Sequence, residues 1–172
     1  MLDRYWVGDA RRVSQEAPVP VVDVTRTEDL PGGAANVALN VASLGARCTL
    51  IGLVGADAAA DALVERLTAA GVTCDFVTVD DWPTIIKLRV VSRNQQLLRT
   101  DFERPLPAPR RAAVHAQVCA RVAARLADAS VVVLQDYDKG TIEGPEQLIG
   151  LARAKGRRVL VDPKHKSFAR YA

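Results

Sequence analysis

Gly32-Gly33-Ala34-Ala35-Asn36 is the stretch whose residue types and spacing point most directly to chemistry. Glycines let a ligand approach the backbone, because no Cβ stands in the way. The open N–H groups of a helix N-terminus then face that ligand. Asn36 carries a donor and an acceptor, which suits the vicinal hydroxyls of a sugar. A lone Gly-Gly-x-x-Asn more often does no more than turn a loop into a helix, so the wider spacing carries the argument. Asn36 is followed by the small Ala38, then by Gly45 and Gly55, which frame an apolar helix and a β-branched strand. Lys87 and Arg89 occupy alternate positions of a strand-like run and so share a face. By itself such a pair reads as a solvated strand face. Lys139 and Lys164 follow the apolar runs 130–134 and 158–161, within Asp136-Tyr137-Asp138-Lys139-Gly140 and Asp162-Pro163-Lys164. Ligands of open α/β sheets bind beyond the carboxyl ends of strands, although Asp and Gly also serve ordinary turns there.

The elements that must position these residues alternate along the chain. Residues 1–12 read as polar and irregular, and 13–25 as an edge strand interrupted by Pro18 and Pro20. The spacing of Ala34, Val37, Ala38 and Val41 predicts a helix over 33–44, stopped by Gly45. Cys48 to Val54 is continuously apolar, as in a strand buried on both faces. Ala60, Leu63, Val64 and Leu67 predict a second helix, ended by Gly71. Runs 72–79, 84–91 and 96–102 read as strands of a small antiparallel sheet inserted into the body, with a turn at 92–95. After the stiff Pro105, Pro107 and Pro109, the stripe Val114, Val118, Val122 and Leu126 predicts a long helix. Strands at 130–134 and 158–161 flank a helix marked by Leu148, Leu151 and Ala152. Such alternation argues for right-handed βαβ units around a parallel sheet, an α/β fold.

Composition narrows the class. The 172 residues fit one domain, and 49% apolar with 25% charged residues is ordinary for a globular chain. A net charge of +3 without a long basic run, and only 5% aromatics, argue against a nucleic-acid partner. No run approaches the ~20 apolar residues that span a membrane, and the N-terminal residues have no signal-peptide core, so a cytoplasmic location is expected. Cys48, Cys74 and Cys119 are odd in number and far apart, and read as buried thiols. His115 and His165 are too few and too separated to argue for a metal.

The span from Gly32 to Gly55, GGAANVALNVASLGARCTLIGLVG, resembles the N-terminal signature of the ribokinase-like carbohydrate kinases. Met1 to Trp6, Arg12 to Val21, Lys87 to Leu97, Asp136 to Gly140 and Asp162 to Lys164 resemble one branch of it, the D-glycero-β-D-manno-heptose 7-phosphate kinases. The resemblance implies a three-layer α/β/α body with an inserted β lid over the sugar, which often forms a homodimer contact. It implies sugar-hydroxyl binding by Asp3, Asn36 and the Gly32-Gly33 backbone. It implies sugar-phosphate binding by Lys87 and Arg89, where two cations converge and Arg can grip two oxygens. Lys139 and Lys164 are implied to face phosphates of nucleotide or sugar. Asp138 stands where the family carries a small residue. The implied reaction is ATP- and Mg²⁺-dependent phosphorylation at C1, on the way to ADP-heptose.

The family's base is the aspartate of a Gly-Ala-Gly-Asp motif whose glycines form an anion hole. Neither Gly-x-Gly-Asp nor an Asn-x-x-Glu motif nor a Walker-type loop occurs in these residues. The first strand of relatives, ending in Gly-Asp, would precede Met1. The expectation is an acceptor-binding half with no catalytic residue and no metal ligand of its own, inactive alone and binding no cofactor tightly. A non-catalytic sugar-phosphate-binding or dimerisation module is the second reading.

Overall fold

The structure, a computed structural model, describes residues 1–164 and 168–172; His165 lies outside them. Two helices pack on each side of a β layer, and each side has its own core. On one side lie α1 (Ala34–Ser43) and α2 (Ala58–Ala69), packed on parallel strands β3 (Cys48–Val54) and β4 (Val72–Thr78). Leu2, Leu63, Leu67 and Val72 are its buried centre. On the other side lie α3 (Ala108–Arg125) and α4 (Pro145–Ala154), packed on parallel strands β7 (Val131–Gln135) and β8 (Arg158–Asp162) and on the far face of β4. The stripe Val114, Val118, Val122 and Leu126 is buried, as its spacing requires. Gly45 ends α1 with φ +84 while its N–H bonds Ala42 O, and Gly71 does the same for α2. A short 3₁₀ turn, Phe168–Tyr171, closes the described chain.

The lid differs from its sequence reading in several ways. Residues 1–12 are not irregular, because Leu2–Val13 form β1, and β2 runs Pro20–Pro31. With β5 (Ile86–Ser92) and β6 (Gln95–Phe102) they make one sheet, in the order β2-β1-β5-β6. It is mixed rather than antiparallel: two hairpins are joined through the parallel pair β1–β5. The run at 72–79 is not in this sheet. It pairs with β3 in the body, where Val77 is fully buried under α3. The expected strand over 13–25 is not one strand: Val13 ends β1, 14–19 turn the hairpin, and only 20–25 belong to β2, which does lie at the sheet edge. The turn at 93–94 has φ +49 and +63, the mirror-image geometry that matches strand twist in a two-residue hairpin.

Burial also falls short of expectation. Within β3 only Leu53 and Val54 are buried, and Val131, Val133 and Leu160 stay 43–60% exposed on one face of β7–β8. Among the described residues β3 pairs only with β4 and β7 only with β8, so each leaves an open edge. Of the three thiols only Cys119 is buried; Cys48 and Cys74 are half-buried, and burial pushes all three up. Among the described residues no helix is long and apolar enough to cross a membrane.

Candidate functional site

Strand registry assembles the site. Asp3 is opposite Lys87, Tyr5 opposite Arg89, Lys87 opposite Asp101 and Arg89 opposite Arg99. Residues paired in register across strands share a face, so Asp3, Tyr5, Lys87, Arg89, Arg99 and Asp101 line one face of the lid sheet. The opposite face carries Leu2, Ile86 and Leu88, which fix the lid to the body. Arg4 also points that way and is clamped by both oxygens of Asp29, at 2.6 and 2.7 Å.

Arg89 Nη1 donates to Asp3 Oδ1 at 2.8 Å, and its guanidinium lies 5.3 Å from the Tyr5 ring centroid, in cation–π range. Burial opposes the Arg89 charge, but the Asp3 hydrogen bond and charge outweigh it and raise its pKa above the ordinary value. Lys87 Nζ donates to Asp101 Oδ2 at 3.0 Å. The Asp3 carboxylate also rests against Gly32, where an added Cβ would come within 2.5 Å of Oδ2. Gly33, at φ +56, precedes α1 and lets Met1 and Tyr137 pack close to its backbone. Asn36 follows in the first helical turn with an exposed side chain, and its N–H is spent on Gly33 O. The structure therefore joins Asp3, Lys87 and Arg89 in one polar patch, with Gly32 against it and Gly33 and Asn36 next along the chain.

The loop after β7 reaches the same region. Tyr137 packs near Gly33, while Lys139 Nζ is held by Glu103 at 2.7–2.8 Å just beyond the end of β6. The loop is fixed by Asp136, 4% exposed, which accepts from Tyr171 Oη at 2.6 Å and from the Asp138 N–H at 2.8 Å. Asp138 has φ +55, the left-handed region where glycine is least strained, a physical reason for a small residue there. Lys164 is exposed beyond β8. An open hollow of about 560 Å³ beside α2 and β4 involves none of these residues.

A second network braces the loops under the lid. Asp57 caps α2 by accepting from Ala60 N at 2.9 Å and also accepts from Thr84 N at 2.7 Å. Thr84 Oγ1 in turn accepts from Gly55 N at 2.9 Å. Burial alone would raise the Asp57 carboxyl, but these N–H groups outweigh it and hold it below its usual value. A carboxylate depressed in the folded state adds stability above its unfolded pKa and loses it as pH falls through the folded one. Asp57→Ala is therefore expected to cost about 1–2 kcal/mol near pH 7, with the gap to wild type shrinking toward pH 3. Urea melts at both pH values measure this, and an equal gap at both would contradict it.

Sequence reading missed Arg99, Asp101, Tyr137 and the Asp57–Thr84 brace. The alternation of Arg99 and Asp101 mirrors that of Lys87 and Arg89 and was a usable signal. Among the described residues no group of three or more His, Cys, Asp or Glu could hold a metal ion.

Comparison with known proteins agrees with this architecture. The chain is 55% identical over 171 residues to "Bifunctional protein HldE" of Shewanella amazonensis, and 53% identical to that of Pseudomonas aeruginosa. In each case the match covers 99% of this chain and 35% of the relative, so the chain spans about a third of their length. Its fold matches a possible 1-phosphofructokinase of Thermotoga maritima with a TM-score of 0.71 at 23% identity, over 99% of this chain and 53% of that one. Phosphofructokinase-2 of Escherichia coli in its tetrameric inhibited form matches with a TM-score of 0.68 at 24% identity, over 99% and 54%. The profile of the pfkB family carbohydrate kinases matches residues 5–171. With a ribokinase-like α/β body and this pattern of relatives, the chain belongs to the pfkB carbohydrate kinase family.

Proposed function

We propose that this chain is the acceptor-binding half of a kinase that phosphorylates D-glycero-β-D-manno-heptose 7-phosphate at C1. The observation that carries the reading is the patch in which Asp3, Lys87 and Arg89 meet beside the Gly32 backbone. Asp3 and Asn36 bind sugar hydroxyls, and Lys87 and Arg89 attract the 7-phosphate. The complete enzyme takes ATP with Mg²⁺ as donor; base and anion hole lie outside these residues, so the chain alone gives no turnover. Lys139 and Lys164 are the cations offered to phosphates beyond β7 and β8. The working location is the cytoplasm, with neither nucleic acid nor membrane as partner.

Calorimetry with heptose 7-phosphate tests this. Binding is expected for wild type, about tenfold weaker for Asn36→Ala, the loss of roughly one hydrogen bond. No heat with wild type, or ATP-dependent product from the purified chain, would overturn the reading. The other face of the lid favours a second reading, dimerisation through the sheet. Trp6, Leu98 and Phe102 there are 40–58% exposed. A monomer at high micromolar concentration would refute it.

A further inference from the structure

We infer that Arg99 selects a phosphorylated acceptor over an unphosphorylated one, and that Asp101 is the internal anion whose place the substrate phosphate takes. This rests on the acceptor-site reading above and adds to it two residues and a mechanism of discrimination. Arg99 Nε and Nη2 grip Asp101 Oδ1 and Oδ2 at 2.9 and 3.2 Å, while Lys87 Nζ holds Oδ2 at 3.0 Å. One carboxylate thus holds a lysine and an arginine in the two-cation geometry that a phosphate requires. The Lys87 hydrogen bond, then the charges of Lys87 and Arg99, keep the Asp101 carboxyl below its usual range, so it stays an anion.

The remaining groups of the patch are already committed. Arg89 is bound to Asp3 and, like Lys87, has a side chain only 18% exposed. Arg99 is 49% exposed and engages Asp101 through Nε and Nη2 alone in the hydrogen bonds described. An incoming phosphate therefore meets Arg99 first. The three cations and two carboxylates sum to one positive charge. A neutral sugar gains little from that excess, whereas a phosphate dianion both uses it and outcompetes a monoanionic carboxylate for Arg99 and Lys87. Asp101 then keeps the cations apart and oriented in the empty site, and weakens the patch toward ligands that bring no phosphate to displace it.

The test is calorimetric titration of the whole chain with heptose 7-phosphate, with unphosphorylated heptose and with inorganic phosphate. Arg99→Met should weaken heptose 7-phosphate about 10- to 100-fold, the range for a hydrogen bond to a charged group, and change unphosphorylated heptose less than twofold. Arg99→Lys should restore part of the loss. Asp101→Asn works in the opposite direction, tightening inorganic phosphate and heptose 7-phosphate about 3- to 10-fold, so misfolding cannot mimic it. Equal weakening of both sugars by Arg99→Met, or weaker phosphate binding by Asp101→Asn, would overturn this inference while leaving the acceptor-site reading standing. A wild-type chain that binds neither sugar would overturn both.

Discussion

Gly55→Ala should destabilise the chain by about 3 kcal/mol or more, at the upper end for an inserted methyl. A Cβ at this position would run into the carbonyl oxygen of Trp82, and would lie 2.8 Å from Asp57 Oδ2 and 2.9 Å from Thr84 N. Two of these three atoms are backbone and cannot swing away. The carboxylate is held too, by the N–H groups of Ala60 and Thr84. Relief would require the 82–84 segment to retreat, which breaks the Gly55 N–Thr84 Oγ1 and Asp57–Thr84 bonds. It would also disturb Trp82, whose indole donates to Arg104 O at 2.8 Å and whose ring belongs to the larger core. For a chain of this size each kcal/mol is about 2–4 °C in Tm, so a fall near 10 °C is expected in a thermal melt. A shift under 2 °C would show that the loop moves freely.

Gly32→Ala should do the reverse: leave the fold nearly intact and abolish most sugar binding. Its Cβ would fall 2.5 Å from Asp3 Oδ2 and 2.7 Å from Cγ. Here the obstacle is the end of a side chain, which can rotate. Rotation takes Oδ1 away from Arg89, so the ion pair that orients both groups is lost. The pair is largely buried, so its loss costs roughly 1.5–3 kcal/mol, and the Tm should fall by several degrees while the chain stays folded. Affinity for heptose 7-phosphate should fall about 10- to 100-fold, because Asp3 and Arg89 both leave their binding positions. Calorimetry beside a thermal melt separates the two effects. Unchanged affinity would mean that Asp3 does not touch the ligand.

The helices were legible because each carries an apolar stripe at helical spacing, and α1 and α2 also end at a glycine, Gly45 and Gly71. β1 was not. Its residues face a polar patch on one side and the body on the other, so Asp3, Tyr5 and Val7 alternate with Leu2, Arg4 and Trp6 without a clean apolar face. The run at 72–79 was misplaced because a parallel body strand and a lid strand can carry the same β-branched composition. The candidate site was legible in Asp3, Gly32, Asn36, Lys87 and Arg89, whose types alone suit a sugar phosphate. Lys139 and Lys164 had the same kind of signal; Lys139 bonds Glu103 and Lys164 is exposed beyond β8.

Arg99 and Asp101 show where sequence stops. Ser92 pairs with Gln95 and Val91 with Gln96, and that registry continued would set Lys87 opposite Thr100. A bulge at Leu97 shifts the ladder by one, so Val90 meets Leu98 and Lys87 meets Asp101. A one-residue shift moves every later side chain to the other face. The amino-acid sequence by itself therefore determined the α/β class, the places of the helices and the residue types on which the proposed acceptor site rests, because these depend on local periodicity and local chemistry. Which charges meet, Arg89 with Asp3 and Arg99 with Asp101, was decided only by strand order and the bulge, since those contacts join residues far apart in the chain or depend on a register that local pattern leaves open.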